Sequence, residues 1–202
     1  GFIPGCVGGS AVLGDGSIVA GGCEGAGGRL AALGAWAAST RILYDAWTIY
    51  ESNYRALKAG AEDPANLLPG SEPLTMHQFN ALFYAVSSRI AVGLTDGLVA
   101  ALRGALGYLM EGRIFTNNAG LQNYNEHNPS EGGGFNPAIS YGGLTAVWTE
   151  RVMQSPIGLF VNILSHEYLH YVNPGSGGTT PMHTCIYGIA EAMSGYHVPA
   201  PG

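Results

Sequence analysis

One mostly apolar segment near the C-terminus is bounded on both sides by residues that start and stop helices. It begins after Ser155 and Pro156 and ends at Asn173-Pro174-Gly175. Serine is a preferred N-cap and proline is favoured in the first helical turn, whereas Asn-Pro-Gly does not continue a helix. The residues between are rich in Leu, Ile, Val and Phe. We therefore predict one helix over residues 156–172, capped by Ser155 and with a largely apolar surface.

The composition allows this helix to belong to a chain with a large core. Hydrophobic residues make up 47% of the 202 residues and charged residues 11%, which predicts one domain with or without an appended segment. The formal net charge is -6 and Lys58 is the only lysine. A chain of this kind has no basic patch for phosphate groups, so we expect no nucleic-acid partner.

The most apolar run of the chain extends from Ile90 to Met110. It approaches the length of a transmembrane helix, but it contains Asp96, Arg103 and four glycines. Charged residues are rare in membrane spans, so we predict a buried helix and no membrane span.

The first 28 residues differ from the rest because they contain eleven glycines and little hydrophobic periodicity. They are predicted to form a loop-rich arm or linker before a domain at 29–202. The chain starts at Gly1 without a signal-peptide pattern, which indicates a processed form or an excised domain.

Three cysteines cannot all pair within one chain. Cys6 and Cys23 flank a glycine-rich segment, and both a disulfide between them and two unpaired thiols remain open, with Cys185 as the odd residue. A disulfide requires an oxidising compartment. Together with the scarcity of lysine, it favours a secreted protein, and a toxin or effector domain delivered to another cell is the alternative.

The remaining patterns predict helices before strands and helices again after them, which is an α+β order that is mainly helical with a small sheet. The expected elements are one or two helices over 29–59, helices over about 75–88 (capped by Thr75) and 91–111, a short strand in 113–118, a polar loop over 119–137, a strand or hairpin over 138–148, and a last helix that opens at Thr180-Pro181.

The helix over 156–172 carries two histidines four residues apart, with a glutamate directly after the first. His166 and His170 then lie on the same face, one turn apart, and they form a rigid pair of metal ligands. Glu167 lies beside the metal rather than on it, where it acts as a general base toward water. Zinc is favoured, because two imidazoles and a third ligand leave one position open for water.

The alternative is a polar cluster without a metal. Burying two histidines and a glutamate without partners costs on the order of several kcal/mol, and a metal ion provides a partner for all three groups at once. The residues around them are apolar, among them Leu164 and Leu169. We therefore favour the metal site.

The motif resembles the active-site helix of the zincin metallopeptidases, which carries H-E-x-x-H and is followed by a segment with the third ligand. The resemblance covers mainly residues 138–195. It implies a zincin-like α+β domain in which the active-site helix is followed by a ligand-bearing helix. It also implies a zinc-dependent endopeptidase that acts on a peptide or protein substrate, with Glu167 as its base.

Two residues are candidates for the third zinc ligand. The metzincin extension is not present, because Asn173 and Ser176 stand at its glycine and third histidine. His183 lies in the first turn of the next helix, and Glu191 lies two turns further along the same face. We favour His183, because imidazole suits zinc. In that case Glu191 orients a ligand histidine.

The two candidates correspond to different zincin families. Glu191 as ligand resembles the gluzincins, and His183 resembles the families with three histidines. The segment that contains His183 is also similar to the aspzincin (deuterolysin-like) pattern G-T-x-D-x-x-Y-G. The matching residues are Gly178, Thr179, Tyr187 and Gly188, and Thr184 stands three residues before the Tyr-Gly pair.

A peptidase also needs a donor for the oxyanion and a means of holding its substrate. Tyr187, Tyr196 and His197 are the candidate donors, and Tyr187 is preferred as a catalytic residue. The segment from Tyr141 to Val147 is predicted to be the edge strand that pairs with an extended peptide.

Two other classes of protein compete with the peptidase. One is a metal hydrolase that acts on another bond. The other is a binding protein in which the metal only joins two helices, and a closed site of four ligands that adds Glu191 or Cys185 would indicate it. The sequence carries no indication of oligomeric state.

Overall fold

A computed structural model describes the backbone of residues 9–12, 18–21, 43–92, 94–130 and 134–199, with side chains for the last three ranges. Over these residues the protein is α+β and mostly helical, as predicted. The predicted boundary at residue 28, the possible Cys6–Cys23 disulfide and the helix start near residue 29 lie outside the described residues. Cys185 is exposed, with a free thiol.

The described residues contain the predicted elements in the predicted order, together with three helices that were not predicted and a pair of strands in the segment predicted to be loop-rich. The strands are β1 (Gly9–Val12), β2 (Ile18–Gly21), β3 (Ile114–Thr116), β4 (Ala138–Tyr141) and β5 (Leu144–Val147). The helices are α1 (described over 43–58), α2 (Pro64–Leu67), α3 (Met76–Ile90), α4 (Asp96–Met110), α5 (Asn118–His127), α6 (Thr149–Val152), α7 (Ile157–Val172) and α8 (Pro181–Ser194).

Helix α3 begins as predicted, because the Thr75 hydroxyl accepts a hydrogen bond from the backbone N–H of Gln78 and the Gln78 side chain accepts one from the N–H of Thr75. The apolar run that follows is divided, since α3 ends at Ile90 and α4 starts at Asp96. None of the described helices combines the length and hydropathy that crossing a bilayer requires.

Two local predictions were wrong. Residues 118–127 form α5 instead of a loop, because the Asn117 side chain caps it by accepting from Gly120 N–H. Only Leu121 of this helix is buried, so it lacks the apolar stripe by which helices are recognised. The N-cap of α7 is Pro156 rather than Ser155, whose hydroxyl donates to the Arg151 carbonyl at the end of α6.

A three-stranded sheet stands beside the helices in the order β3-β5-β4. Strand β5 pairs in parallel with β3 and antiparallel with β4, to which it is joined by Gly142 and Gly143, with φ values of 61° and 77°. All four residues of β5 are buried. The predicted edge strand is therefore corrected: β5 is central, and β4 is an edge of this sheet.

Helix α7 lies at the centre of the helical layer and packs against α3, α4 and α8. Its Phe160 and Leu164 are fully buried. Gly104 of α4 allows close approach, because a Cβ atom there would clash with the Tyr168 ring. The C-terminus of α8 is held by Arg89, whose Nε donates to the Met193 carbonyl over 2.9 Å. These contacts fix the relative positions of the two helices that carry the histidines.

Candidate metal centre

Three histidine side chains from two helices converge on one point. His166 and His170 lie on the same face of α7, and their Nε2 atoms are 3.0 Å apart. His183, in the first turn of α8, places its Nε2 atom 3.3 Å from that of His166. With one ligand nitrogen taken from each residue, the three nitrogens lie within 4.8 Å of one another. Of the two candidates for the third ligand, the structure therefore brings His183 to the pair.

The Nδ1 atoms of two of these rings form hydrogen bonds with the loop between α7 and α8. His183 Nδ1 lies 2.6 Å from the Gly178 carbonyl, and His170 Nδ1 lies 2.8 Å from the Ser176 hydroxyl. A carbonyl only accepts hydrogen bonds, so in the neutral imidazole of His183 the proton lies on Nδ1 and Nε2 presents a lone pair. Outer hydrogen bonds of this kind orient metal-bound histidines.

The loop reaches the histidines because its own turns are specified. Gly175 and Gly178 have φ values of 79° and 70°, a region that glycine adopts without strain. The Thr180 hydroxyl donates to the Ser176 carbonyl over 2.8 Å and accepts from the backbone N–H of His183 over 3.2 Å. Thr180 therefore closes the loop and caps α8, as predicted for the start of that helix.

The arrangement fits a divalent metal ion such as zinc. Nitrogens at about 2.1 Å from a tetrahedral zinc ion lie about 3.4 Å from each other, close to the two Nε2 separations observed. Burial, with a smaller effect from the other two histidines, lowers the pKa of His166 to about 3. Burial and then His183 lower the pKa of His170 as well. Both rings therefore stay neutral at pH 7, the form that binds metal.

Glu167 faces the same cavity, which has a volume of about 710 Å³. Burial raises the pKa of the Glu167 carboxyl to about 7, and a hydrogen bond with the Ser140 side chain opposes this shift. A carboxyl group with a pKa near the working pH both takes up and releases a proton readily.

Tyr187 also lines this cavity. Its ring lies 4.6 Å from the ring of His166 and 4.9 Å from that of His183, measured between centroids. Burial, and next the charge of Glu167, raise the pKa of the Tyr187 hydroxyl. Tyr187 therefore keeps its proton at neutral pH and serves as a hydrogen-bond donor.

The other residues singled out in the sequence lie elsewhere. The Glu191 carboxylate accepts from His197 Nδ1 over 2.9 Å, and 48% of its side chain is exposed. It therefore does not orient a histidine of the cluster. Tyr196 packs on Gly158. Neither Tyr196 nor His197 is among the described residues that line the cavity.

Further side chains of the cavity carried no signal in the sequence. Tyr108, Ser140 and Tyr171 come from α4, β4 and α7, so only packing brings them together. Tyr171 is fixed between the Tyr108 ring, 5.3 Å away, and the Arg113 guanidinium, 4.8 Å from its ring centre. The described residues that line the cavity include neither Lys nor Arg.

Comparisons with known proteins gave no match to a family model, to a curated protein or to a solved structure.

Proposed function

We propose that this chain is a zinc-dependent endopeptidase with a zincin-like fold. The observation that carries the proposal is the convergence of three imidazole Nε2 atoms on one wall of a cavity that also holds the partly buried Glu167. Three imidazole nitrogen donors beside a carboxyl group of pKa about 7 are the set that a hydrolytic zinc site uses.

The number of ligands favours catalysis over a metal that only joins two helices. Within 43–92, 94–130 and 134–199, the group of His166, His170 and His183 includes no fourth Cys, Asp, Glu or His. Glu191 is paired with His197 instead, and Cys185 is exposed. Structural zinc sites use four protein ligands, whereas catalytic sites use three and keep one position open.

The residues of the chain have distinct roles in this mechanism. Bound zinc would polarise the substrate carbonyl and lower the pKa of water to about 7. Glu167 accepts a proton from the attacking water and delivers it to the amide nitrogen that leaves. The Tyr187 hydroxyl donates a hydrogen bond to the oxygen on which negative charge develops.

Strand β4 supports a peptide as the substrate rather than another hydrolysable group. It is an edge of its sheet, and Ser140 and Tyr141 lie both on this strand and in the lining of the cavity. An extended peptide adds to such an edge through main-chain hydrogen bonds. The tyrosines and glycines of the cavity wall, without Lys or Arg, favour an uncharged side chain next to the bond that is cleaved.

The test is a comparison of the wild-type chain with Glu167→Gln. We expect one zinc ion per chain in both proteins, measured by elemental analysis, and cleavage of an unfolded protein substrate only by the wild type. The carboxamide keeps the size of the side chain but accepts no proton, so peptide cleavage falls by at least about a hundredfold. Cleavage by Glu167→Gln at the wild-type rate would refute the mechanism.

A further inference from the structure

Three hydroxyl groups form a continuous line from α4 across the sheet to Glu167. The Tyr108 hydroxyl lies 3.1 Å from the Thr145 hydroxyl, which lies 2.8 Å from the Ser140 hydroxyl. Ser140 and Glu167 line the same cavity, and the Ser140 side chain is hydrogen-bonded to the Glu167 carboxyl group. The line therefore links a helix, the central strand and the edge strand to the proposed base.

Two members of the line are deeply buried, with Thr145 at 0% and Tyr108 at 2% exposure. Thr145 stands in a strand whose other residues are Leu144, Ala146 and Val147, all buried. Burying a hydroxyl group is costly unless it is hydrogen-bonded, and valine would fill the same volume without this requirement. Packing alone therefore does not account for a threonine at this position.

The direction of the hydrogen bonds follows from the number of protons, because each hydroxyl has only one. An ionised Glu167 only accepts, so Ser140 donates to it. The Ser140 oxygen then accepts from Thr145, and Thr145 accepts from Tyr108. Among the described residues, the one alternative acceptor for Tyr108 is the Gly143 carbonyl, 3.1 Å away, which also lies 3.5 Å from Arg113 Nη1.

We propose that Ser140, Thr145 and Tyr108 are positioning residues, whose hydroxyl chain holds the Glu167 carboxylate in the orientation from which it takes the proton of the attacking water. This inference rests on the proposed function. Hydrogen bonds in series strengthen one another in a buried environment, so the orientation depends on all three members and not on Ser140 alone.

The central experiment uses a matched pair of substitutions at Thr145 in the full chain with zinc. Thr145→Val keeps the shape and removes the hydroxyl, whereas Thr145→Ser keeps the hydroxyl and removes a methyl group. We expect kcat to fall about tenfold in Thr145→Val, while KM and zinc affinity stay within about twofold of the wild type. In Thr145→Ser, kcat should be close to that of the wild type. A role in packing alone predicts the reverse order, and that result would overturn the proposal.

The two ends of the line of hydroxyl groups, Ser140 and Tyr108, provide a second comparison. Ser140→Ala removes the direct donor and Tyr108→Phe removes the last one, so kcat should fall more in Ser140→Ala. Ser140→Thr should restore kcat, because it returns a hydroxyl group to the same strand position. Equal kcat values in the wild type, Ser140→Ala and Tyr108→Phe would contradict the inference.

A measurement independent of activity separates this inference from the proposed function. Urea unfolding of the full chain at pH 8 and one fixed zinc concentration is compared for Ser140→Ala, Glu167→Gln and the double variant. We expect non-additive midpoints, because each single substitution removes the same charged hydrogen bond. Additive midpoints would refute the contact. Non-additive midpoints in a wild-type chain that cleaves no peptide would keep the contact but refute the proposed function, and with it the positioning role.

Discussion

Replacing the third histidine tests the metal centre most directly. His183→Ala removes one of the three convergent nitrogens and leaves His166 and His170 in place. The matched variant is Glu191→Ala on the same helix, which removes the other candidate ligand. Because Glu191 is half-exposed and paired with His197, its loss leaves the convergence of the three nitrogens unchanged.

The expected loss of zinc affinity in His183→Ala follows from the number of ligands. Zinc sites with four protein ligands bind with about 10–16 kcal/mol, so one ligand accounts for about 3 kcal/mol, or about a hundredfold in affinity. His183→Ala removes not only a zinc ligand but also the hydrogen bond between His183 Nδ1 and the Gly178 carbonyl. That bond contributes about 1 kcal/mol to the stability of the metal-free chain. Glu191→Ala should change the zinc affinity by less than about threefold, because its carboxylate has no contact with the cluster.

The assay is competition for zinc between the chain and a chromophoric chelator at pH 7.5, followed by titration of each variant. Thermal unfolding with and without zinc gives an independent value, since a ligand that binds only the folded state raises the unfolding temperature. The reasoning is wrong if Glu191→Ala weakens zinc binding more than His183→Ala does. It is equally wrong if His183→Ala binds zinc as tightly as the wild type.

The other predictions concern the partly buried Glu167, the proposed oxyanion donor Tyr187 and the packing of α7. Burial raises the pKa of Glu167 to about 7. Between the ordinary pKa of a glutamate and pH 7, the folded metal-free chain therefore holds a proton that the unfolded chain has released. The free energy of unfolding falls as the pH rises through this range, because deprotonation favours the unfolded chain. Glu167→Gln should therefore stabilise the metal-free chain by about 1–2 kcal/mol at pH 8 but not at pH 4, measured by urea unfolding; an equal difference at both pH values would contradict this. Tyr187→Phe should lower kcat about a hundredfold with zinc affinity retained, in steady-state kinetics; an unchanged kcat would exclude Tyr187 as the donor. Gly104→Ala should cost about 1–3 kcal/mol because its Cβ meets the Tyr168 ring, whereas Gly107→Ala, with open space around it, should stabilise α4 by about 0.5–1 kcal/mol; similar unfolding midpoints for the two would refute the close packing.

Much of the local structure was predictable because it depends on residues close together in the chain. The stop at Asn173 and the start at Thr180 were expected from capping preferences, and the structure has both. The shared face of His166 and His170 follows from helical periodicity alone. Helix α5 was not predicted, because it buries only Leu121 and therefore has no apolar periodicity by which a helix is recognised.

The choice between His183 and Glu191 depended on longer-range contacts. The two residues share a face of α8, so periodicity does not distinguish them. The distinction comes from the distance between α7 and α8, set by the turns at Gly175 and Gly178 and by the hydrogen bonds of Ser176 and Thr180. The same holds for Ser140, Thr145 and Tyr108, which come together only when sheet and helices pack. Periodicity and capping act over a few residues and therefore specify helices, whereas a site built from several elements depends on loop closure and packing across the whole domain.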